Sequence, residues 1–317
     1  MNAMSTSMTM PCDICAGTKF QRRLSANDWR TAIAGSFEYV SCEQCGLTQL
    51  NPQPSTATLA SAYPDWLWRD EITRGRTMPS RVTSTLNVLA AQFSNPETLL
   101  DVGCGPGSFL TGARMRGWQT RGIESSSSQV EYCRTNGLDV TFVDDFSTMP
   151  DDGMRYSAVT FNHVLEHVPS PVAYLRKAFS LLRPGGRVVV AVPNFDSLSA
   201  RVFGQYWMHL DAPRHLYQFT PLSLERCVTA AGGRVTAIRP GDRDDNAAGA
   251  RESLRRCVVH GIFRRPAVAV RASASDEHAP MSLPHRLYRL YGAAMAVFGE
   301  SIGLADTLIA VTERSQD

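Results

Sequence analysis

Leu99-Leu100-Asp101-Val102-Gly103-Cys104-Gly105-Pro106-Gly107-Ser108-Phe109 is the stretch on which the fold turns. A short apolar run ends in three glycines at alternating positions and passes at Ser108 into a helical pattern. A glycine-rich turn between a strand and a helix lets the backbone approach a cofactor closely. The spacing decides which cofactor. A dinucleotide fingerprint, G-x-G-x-x-G, needs glycine at position 108, where this chain has Ser108, and the third glycine, Gly107, comes one place early. Nicotinamide is therefore disfavoured.

Outward from this turn, apolar runs alternate with helical stretches. Thr98–Val102, Gln119–Ile123, Val140–Val143, Ala158–Phe161 and Gly186–Val192 read as buried strands, with helices at Ser108–Arg116, Ser126–Asn136 and Pro171–Leu182 between them. Gly117, Gly137 and Pro184-Gly185-Gly186 supply helix stops. The alternation implies βαβ units and a parallel sheet, an α/β fold. A helix near Leu222–Ala231 and a strand at Arg234–Arg239 follow; Tyr288–Phe298 is helical and Thr307–Thr312 a last strand. Upstream, Val82, Leu86, Leu89 and Phe93 mark an amphipathic connecting helix.

In combination, the motifs resemble class I, Rossmann-like methyltransferases that use S-adenosylmethionine, over roughly residues 95 to 240. Asp101, Gly103, Cys104, Gly105 and Gly107 stand where that family's first motif contacts the methionine part of the cofactor. Glu124, followed by Ser125, stands where the family binds both ribose hydroxyls. Asp144-Asp145-Phe146 follows the third strand, where an acidic residue lies near the adenine amino group, and either Asp fits. Asn162-His163-Val164-Leu165-Glu166-His167 follows the fourth strand and resembles the fourth motif. The resemblance implies a seven-stranded sheet with an antiparallel last strand. Ser157 departs from it, standing where the family begins strand four with Asp.

Cys12, Cys15, Cys42 and Cys45 form C-x2-C…C-x2-C, a pattern suited to one tetrahedral, structural zinc ion with no open coordination position. Cys104, Cys133, Cys227 and Cys257 are unpaired and read as small core residues. His163-x-x-Glu166-His167 also spells an inverted zinc-protease signature. It is read as coincidental, because Pro169 and Pro171 interrupt the helix such a site requires.

The chain accordingly divides into a zinc-ribbon-like module (1–54), a connecting helical segment (55–95), a cofactor-binding core (96–240), a helical insertion (241–305) and a last strand with tail (306–317). The family usually joins its last two strands by a short hairpin, so the insertion reads as a lid over the acceptor. Arg251, Arg255, Arg256, Arg264 and Arg265 make its basic half; Leu287, Leu290, Tyr291, Ala294, Met295 and Phe298 make its apolar helical face.

Methyl transfer needs an aligned acceptor and a proton acceptor, for which neutral imidazole is suited. His167 and His215 rank first, with His163 and His209 behind them. Composition narrows the partner. Thirty-two basic against 30 acidic residues leave a net charge of +2, too little for a long phosphate-tracking face. An N/D-P-P-Y/F turn is also missing after strand four, so RNA methylation through the zinc ribbon is the alternative rather than the leading reading. A non-catalytic scaffold with a degenerate fold is the third. The chain looks like natural-product, sugar and surface-glycan methyltransferases, and its core is similar to the ubiquinone-type O-methyltransferases. That resemblance favours oxygen in a small molecule, free or carrier-linked, as acceptor. No run of ~18 uncharged apolar residues exists for a membrane span, and Met1–Pro11 has no secretory pattern. Cytoplasmic residence is expected, and a homodimer is compatible with the sequence.

Overall fold

The computed structural model describes residues 10–67, 69, 80–262 and 285–315. The N-terminal part holds β1 (Phe20–Ala26), β2 (Phe37–Cys42), β3 (Thr48–Leu50), α1 (Thr56–Ser61) and α2 (Ser80–Gln92). The core follows with β4 (Thr98–Val102), α3 (Ser108–Met115), β5 (Gln119–Glu124), α4 (Ser127–Thr135), β6 (Val140–Phe142), β7 (Tyr156–Asn162), α5 (Pro171–Ser180) and β8 (Leu182–Pro193). Then come α6 (Leu198–Phe203), β9 (Tyr217–Gln218), α7 (Pro221–Ala230), β10 (Gly233–Pro240), α8 (Arg243–Arg256), α9 (His285–Ser301) and β11 (Thr307–Arg314).

Leu99, Leu100 and Val102 are buried, as a central parallel strand covered by helices requires. Around β4 the seven-stranded sheet runs β6-β5-β4-β7-β8-β11-β10, and β11 is antiparallel to both neighbours. This is the sheet that the family resemblance implies. Strand β8 begins at Leu182, four residues before the expected Gly186, because Pro184-Gly185-Gly186 is taken into the strand and absorbed by a register shift opposite Tyr156 and Ala158.

The second sheet, β1-β2-β3-β9, is antiparallel and joins the cysteine-bearing strands to a two-residue strand contributed from beyond β8. Arg214 links the same two regions. Its side chain is 1% exposed, and it pairs with Asp28, between β1 and β2, and with Asp211. Asp13, between Cys12 and Ile14, accepts from Ser170 Oγ (2.6 Å) and Val172 N (2.9 Å), so it caps α5. Arg226 donates to the Cys45 carbonyl.

The insertion departs from its sequence pattern. Residues 243–256, polar and without apolar rhythm, form a helix because the buried stripe is Asn246, Gly249, Ala250, Ser253 and Arg256. Small and hydrogen-bonded polar residues supply the helical spacing that large apolar ones usually supply. Helix α9 turns Tyr288, Gly292, Ala296 and Gly299 inward. A Cβ at Gly292 would stand 2.4 Å from the Ala247 carbonyl, so close helix approach selects the small stripe. Of the expected apolar face, Leu287, Leu290 and Phe298 are instead exposed, Ala294 with them, while Tyr291 and Met295 are half-buried. The expected basic half is also altered: Arg255 and Arg256 pair with Glu252. Arg264 and Arg265, and residues 1–9 of the leader reading, lie outside the described residues.

Burial alone would raise the Asp28 carboxyl, but Arg214 holds it below its ordinary value. Arg214→Ala should therefore cost about 3–5 kcal/mol in urea unfolding, because two buried carboxylates lose their cation. The Asp28 contribution is present above the ordinary carboxylate pKa of about 3.9 and is lost as pH falls through its depressed folded value. A change below about 1 kcal/mol would show that the pairs are not load-carrying at neutral pH.

Candidate functional site

The glycine turn is fixed by its neighbour strand. Gly103 N and Cys104 N both donate to the Ile123 carbonyl (2.7 and 3.0 Å), and Gly107, at φ +82°, caps α3. Glu124, at the end of β5, accepts from Gly105 N through Oε2 and from Ser125 N and Ser126 N through Oε1, each at 2.9 Å. A carboxylate has about four lone-pair sites, so about one remains for a ribose hydroxyl while these bonds hold. Cys104 is buried, and Cys133 Sγ lies 3.3 Å from the Gly105 carbonyl, as small core residues would.

Asp101 is buried and accepts through Oδ1 from Thr160 Oγ1 (2.6 Å) and Asn162 Nδ2 (3.0 Å). Burial pushes its carboxyl up to about 7 against those two bonds, and Glu124 adds to the rise. Of the two acidic candidates after β6, Asp144 is exposed, whereas Asp145 caps a 3-10 turn by accepting from Ser147 N and Oγ. Phe146 is buried, edge-on to Phe161 and Tyr174.

The four histidines converge from two segments. Residues 163–170 form turns rather than a helix, with Pro171 opening α5, as the two prolines imply. His163, at the end of β7, has φ +56°, an uncommon left-handed conformation for a non-glycine residue. Its Nδ1 lies 3.3 Å from Glu166 Oε1. Burial disfavours its protonation, but Glu166 outweighs this and raises its pKa. Glu166 is 1% exposed; burial opposes its ionisation, yet His163 and the other imidazoles hold it down to about 2.

His167 Nδ1 lies 2.8 Å from Tyr63 Oη and 3.0 Å from the Arg214 carbonyl. His215 Nδ1 lies 2.7 Å from the His209 carbonyl, and its ring meets that of His167 edge to face at 4.5 Å. Burial lowers the pKa of His167, His209 and His215, the last to about 3. His209 stacks at 6.5 Å from His163, and α8 closes over it: a Cβ on Gly249 would be 2.8 Å from its Nε2. Only His163 opens on the adjoining pocket, which Arg81, Asn162, Ala191, Asp242, Asp245 and Thr307 also line. Tyr63 and the Arg214 network carry no local sequence signature; only the long-range contacts assemble them.

Remote from that pocket, the four cysteines cluster. Cys12 Sγ is 3.2 Å from Cys45 Sγ and Cys15 Sγ is 3.5 Å from Cys42 Sγ, with all four sulfurs within 4.8 Å of one another. Sulfurs at ~2.3 Å from a tetrahedral ion stand a little under 4 Å apart, so this donor set fits one. Ala16 and Gly46, both left-handed, close the two knuckles.

With the fold and turn in view, kinship is definite. The profile of the methyltransferase domain family matches residues 74–238, just over half of the chain, and the chain belongs to that family. The glycine turn, Glu124 and the motif after β7 thus all fall within a methyltransferase domain. Ubiquinone biosynthesis O-methyltransferases of Marinobacter nauticus and Aeromonas salmonicida are 32% identical over 122 residues and 30% identical over 149. Those alignments cover 35% and 42% of this chain and 51% and 61% of the relatives, so it spans about half their length. Among solved structures, a chain of the complex between the Haloferax volcanii Trm112 methyltransferase activator and a methyltransferase shares the fold. Its TM-score is 0.52 at 16% identity, covering 80% of this chain and 99% of that one.

The turn can be tested glycine by glycine. A Cβ at Gly107 would stand 2.3 Å from Leu138 Cδ1, whereas at Gly105 the nearest atom is Gln129 Oε1 at 3.5 Å. Gly105→Ala should cost about 1–2 kcal/mol of stability, from φ +55°, and should abolish S-adenosylhomocysteine binding in calorimetry. Gly107→Ala should be the more destabilising of the two. Wild-type affinity in Gly105→Ala would remove the turn from the cofactor site.

Proposed function

We propose that the protein methylates a hydroxyl oxygen of a small-molecule acceptor, and that His163 takes the proton. The observation that carries this reading is the His163–Glu166 pair: an imidazole on a pocket rim, oriented by a buried carboxylate 3.3 Å away. When bound, S-adenosylmethionine supplies an activated methyl group on a sulfonium. The chain's own work is then to align the acceptor, exclude water and accept a proton. Glycines 103, 105 and 107, Glu124 with Ser125, Asp144 or Asp145, Phe146, Asp101 and Asn162 are the cofactor side of this arrangement. The wall made by Asp242 and Asp245, at the start of α8, supports reading the insertion as a lid. Kinship to enzymes named O-methyltransferases supports oxygen over nitrogen or carbon.

The reading that ranked His167 and His215 first gives way to His163 in this proposal, because the Nδ1 atoms of the other two are engaged by backbone carbonyls and their rings are set back from the pocket. Labelled cofactor offered with a panel of catechols, glycosides and amines, and with RNA, should give O-methyl products by mass spectrometry. His163→Gln should lower kcat by about 10²- to 10⁴-fold with S-adenosylhomocysteine affinity unchanged. Label confined to RNA or to amines, or full turnover in His163→Gln, would overturn the proposal.

The four cysteines are proposed as a structural zinc site, since four protein thiolates leave no position for substrate. Cys42→Ser/Cys45→Ser should lose thiolate-bound zinc in metal analysis and unfold at lower temperature. A variant that keeps both its zinc and its stability would contradict this.

A further inference from the structure

We propose that Glu166, His167 and His215 form a second metal site, for a divalent transition-metal ion bound by two imidazoles and one carboxylate. One ligand atom from each residue lies within 4.8 Å of the others. Glu166 is 1% exposed, and neither carboxylate oxygen has a hydrogen-bond partner among the described residues; His163 Nδ1, at 3.3 Å from Oε1, is the nearest cationic candidate. A carboxylate this deeply buried without donors is costly unless a cation sits beside it.

The two imidazoles are prepared for that cation. His167 Nδ1 faces the Arg214 carbonyl and His215 Nδ1 faces the His209 carbonyl, at 3.0 and 2.7 Å. A carbonyl can only accept, so each Nδ1 carries the hydrogen and each Nε2 is left with its lone pair; Tyr63 Oη, 2.8 Å from His167 Nδ1, is then a second acceptor of that hydrogen. Rings held in this tautomer by a backbone carbonyl are the usual state of metal-ligating histidine. Asp211 Oδ2, 3.9 Å from His215 Nε2, is too distant to take a hydrogen bond from it.

The donor set suits zinc, iron(II) or manganese(II), and three protein ligands leave coordination positions open. The sequence spells two of the ligands within His163-x-x-Glu166-His167, but the third is His215, brought in by the clamp of Leu216 N and Tyr217 N on the Glu166 carbonyl. The site's consequence rests on the methyl-transfer reading above: an ion there would fix Glu166 behind His163, the proton acceptor of that reading.

The test is metal binding by the full chain, read without any acceptor. Protein stripped with chelator is reloaded with cobalt(II) or zinc; ions per chain are counted, and the cobalt spectrum separates thiolate-bound from nitrogen- and oxygen-bound ions. Wild type should hold one ion more than its thiolate charge-transfer bands account for. Glu166→Gln and, independently, His215→Gln should each lose that ion while the thiolate bands persist, and Cys42→Ser/Cys45→Ser should show the reverse. A wild type with only thiolate-bound metal, or a Glu166→Gln protein with the full complement, overturns the site. Because the readout is occupancy, O-methylation can fail with the second ion present, and the ion can be missing from an active O-methyltransferase, so the two failures are distinguishable.

Discussion

A guanidinium stripped of water is among the costliest groups a fold can bury, and the position of Arg214 governs much of this molecule. All five of its N–H donors have acceptors. Nε and one Nη2 hydrogen reach Asp211 (3.0 and 2.8 Å), the other Nη2 hydrogen reaches Asp28 (2.9 Å), and Nη1 meets Thr31 Oγ1 (3.1 Å) and the Ala62 carbonyl (3.3 Å). Those acceptors come from the loop between β1 and β2, from the end of α1 and from the segment before β9. Three stretches distant in sequence are thereby held to one point, and the carbonyl of Arg214 itself faces His167.

The cysteine module is consequently part of the support of the histidine cluster. Tyr39, on β2 and fully buried, places its hydroxyl 2.7 Å from the His215 carbonyl and 2.9 Å from the Leu210 carbonyl. Asp13, inside the first knuckle, caps the helix that follows the His163–Pro169 turn. The cysteine cluster at one end and a buried ion pair at the other flank a small sheet whose own core is Tyr39, Leu47, Leu50 and Tyr217. Buried charge adds here to what the apolar core supplies.

Legibility followed the range of the interactions. The turn at 103–107, the parallel strands and the four thiols were readable because each signal is local: a spacing, a period or a pair of knuckles. Helix α8 was not, since Gly249, Ala250 and Ser253 carry its buried stripe without hydrophobicity. The orientation of α9 has the same cause: close packing at Gly292 rewards small residues and leaves Leu287 and Leu290 outside. Strand β9 is two residues long and has no pattern to detect. At the candidate site, all four histidines were visible, but which one meets a carboxylate depends on the left-handed turn at His163, and which one meets Glu166 from across the chain depends on Arg214.

Two glutamates show why burial by itself does not define a role. Glu124 and Glu166 are both buried acids beside sheet ends. The oxygens of Glu124 take three backbone N–H bonds, so its charge is already solvated by the protein, and its effect is to hold Gly105 and the start of α4 in place. Glu166 receives no such bonds and faces imidazoles instead. Backbone amides are fixed partners that cannot leave, whereas imidazoles exchange protons and bind cations. The first environment produces a rigid cradle. The second keeps a negative charge whose compensation depends on what enters the site, which is the physical condition for chemistry rather than for structure alone.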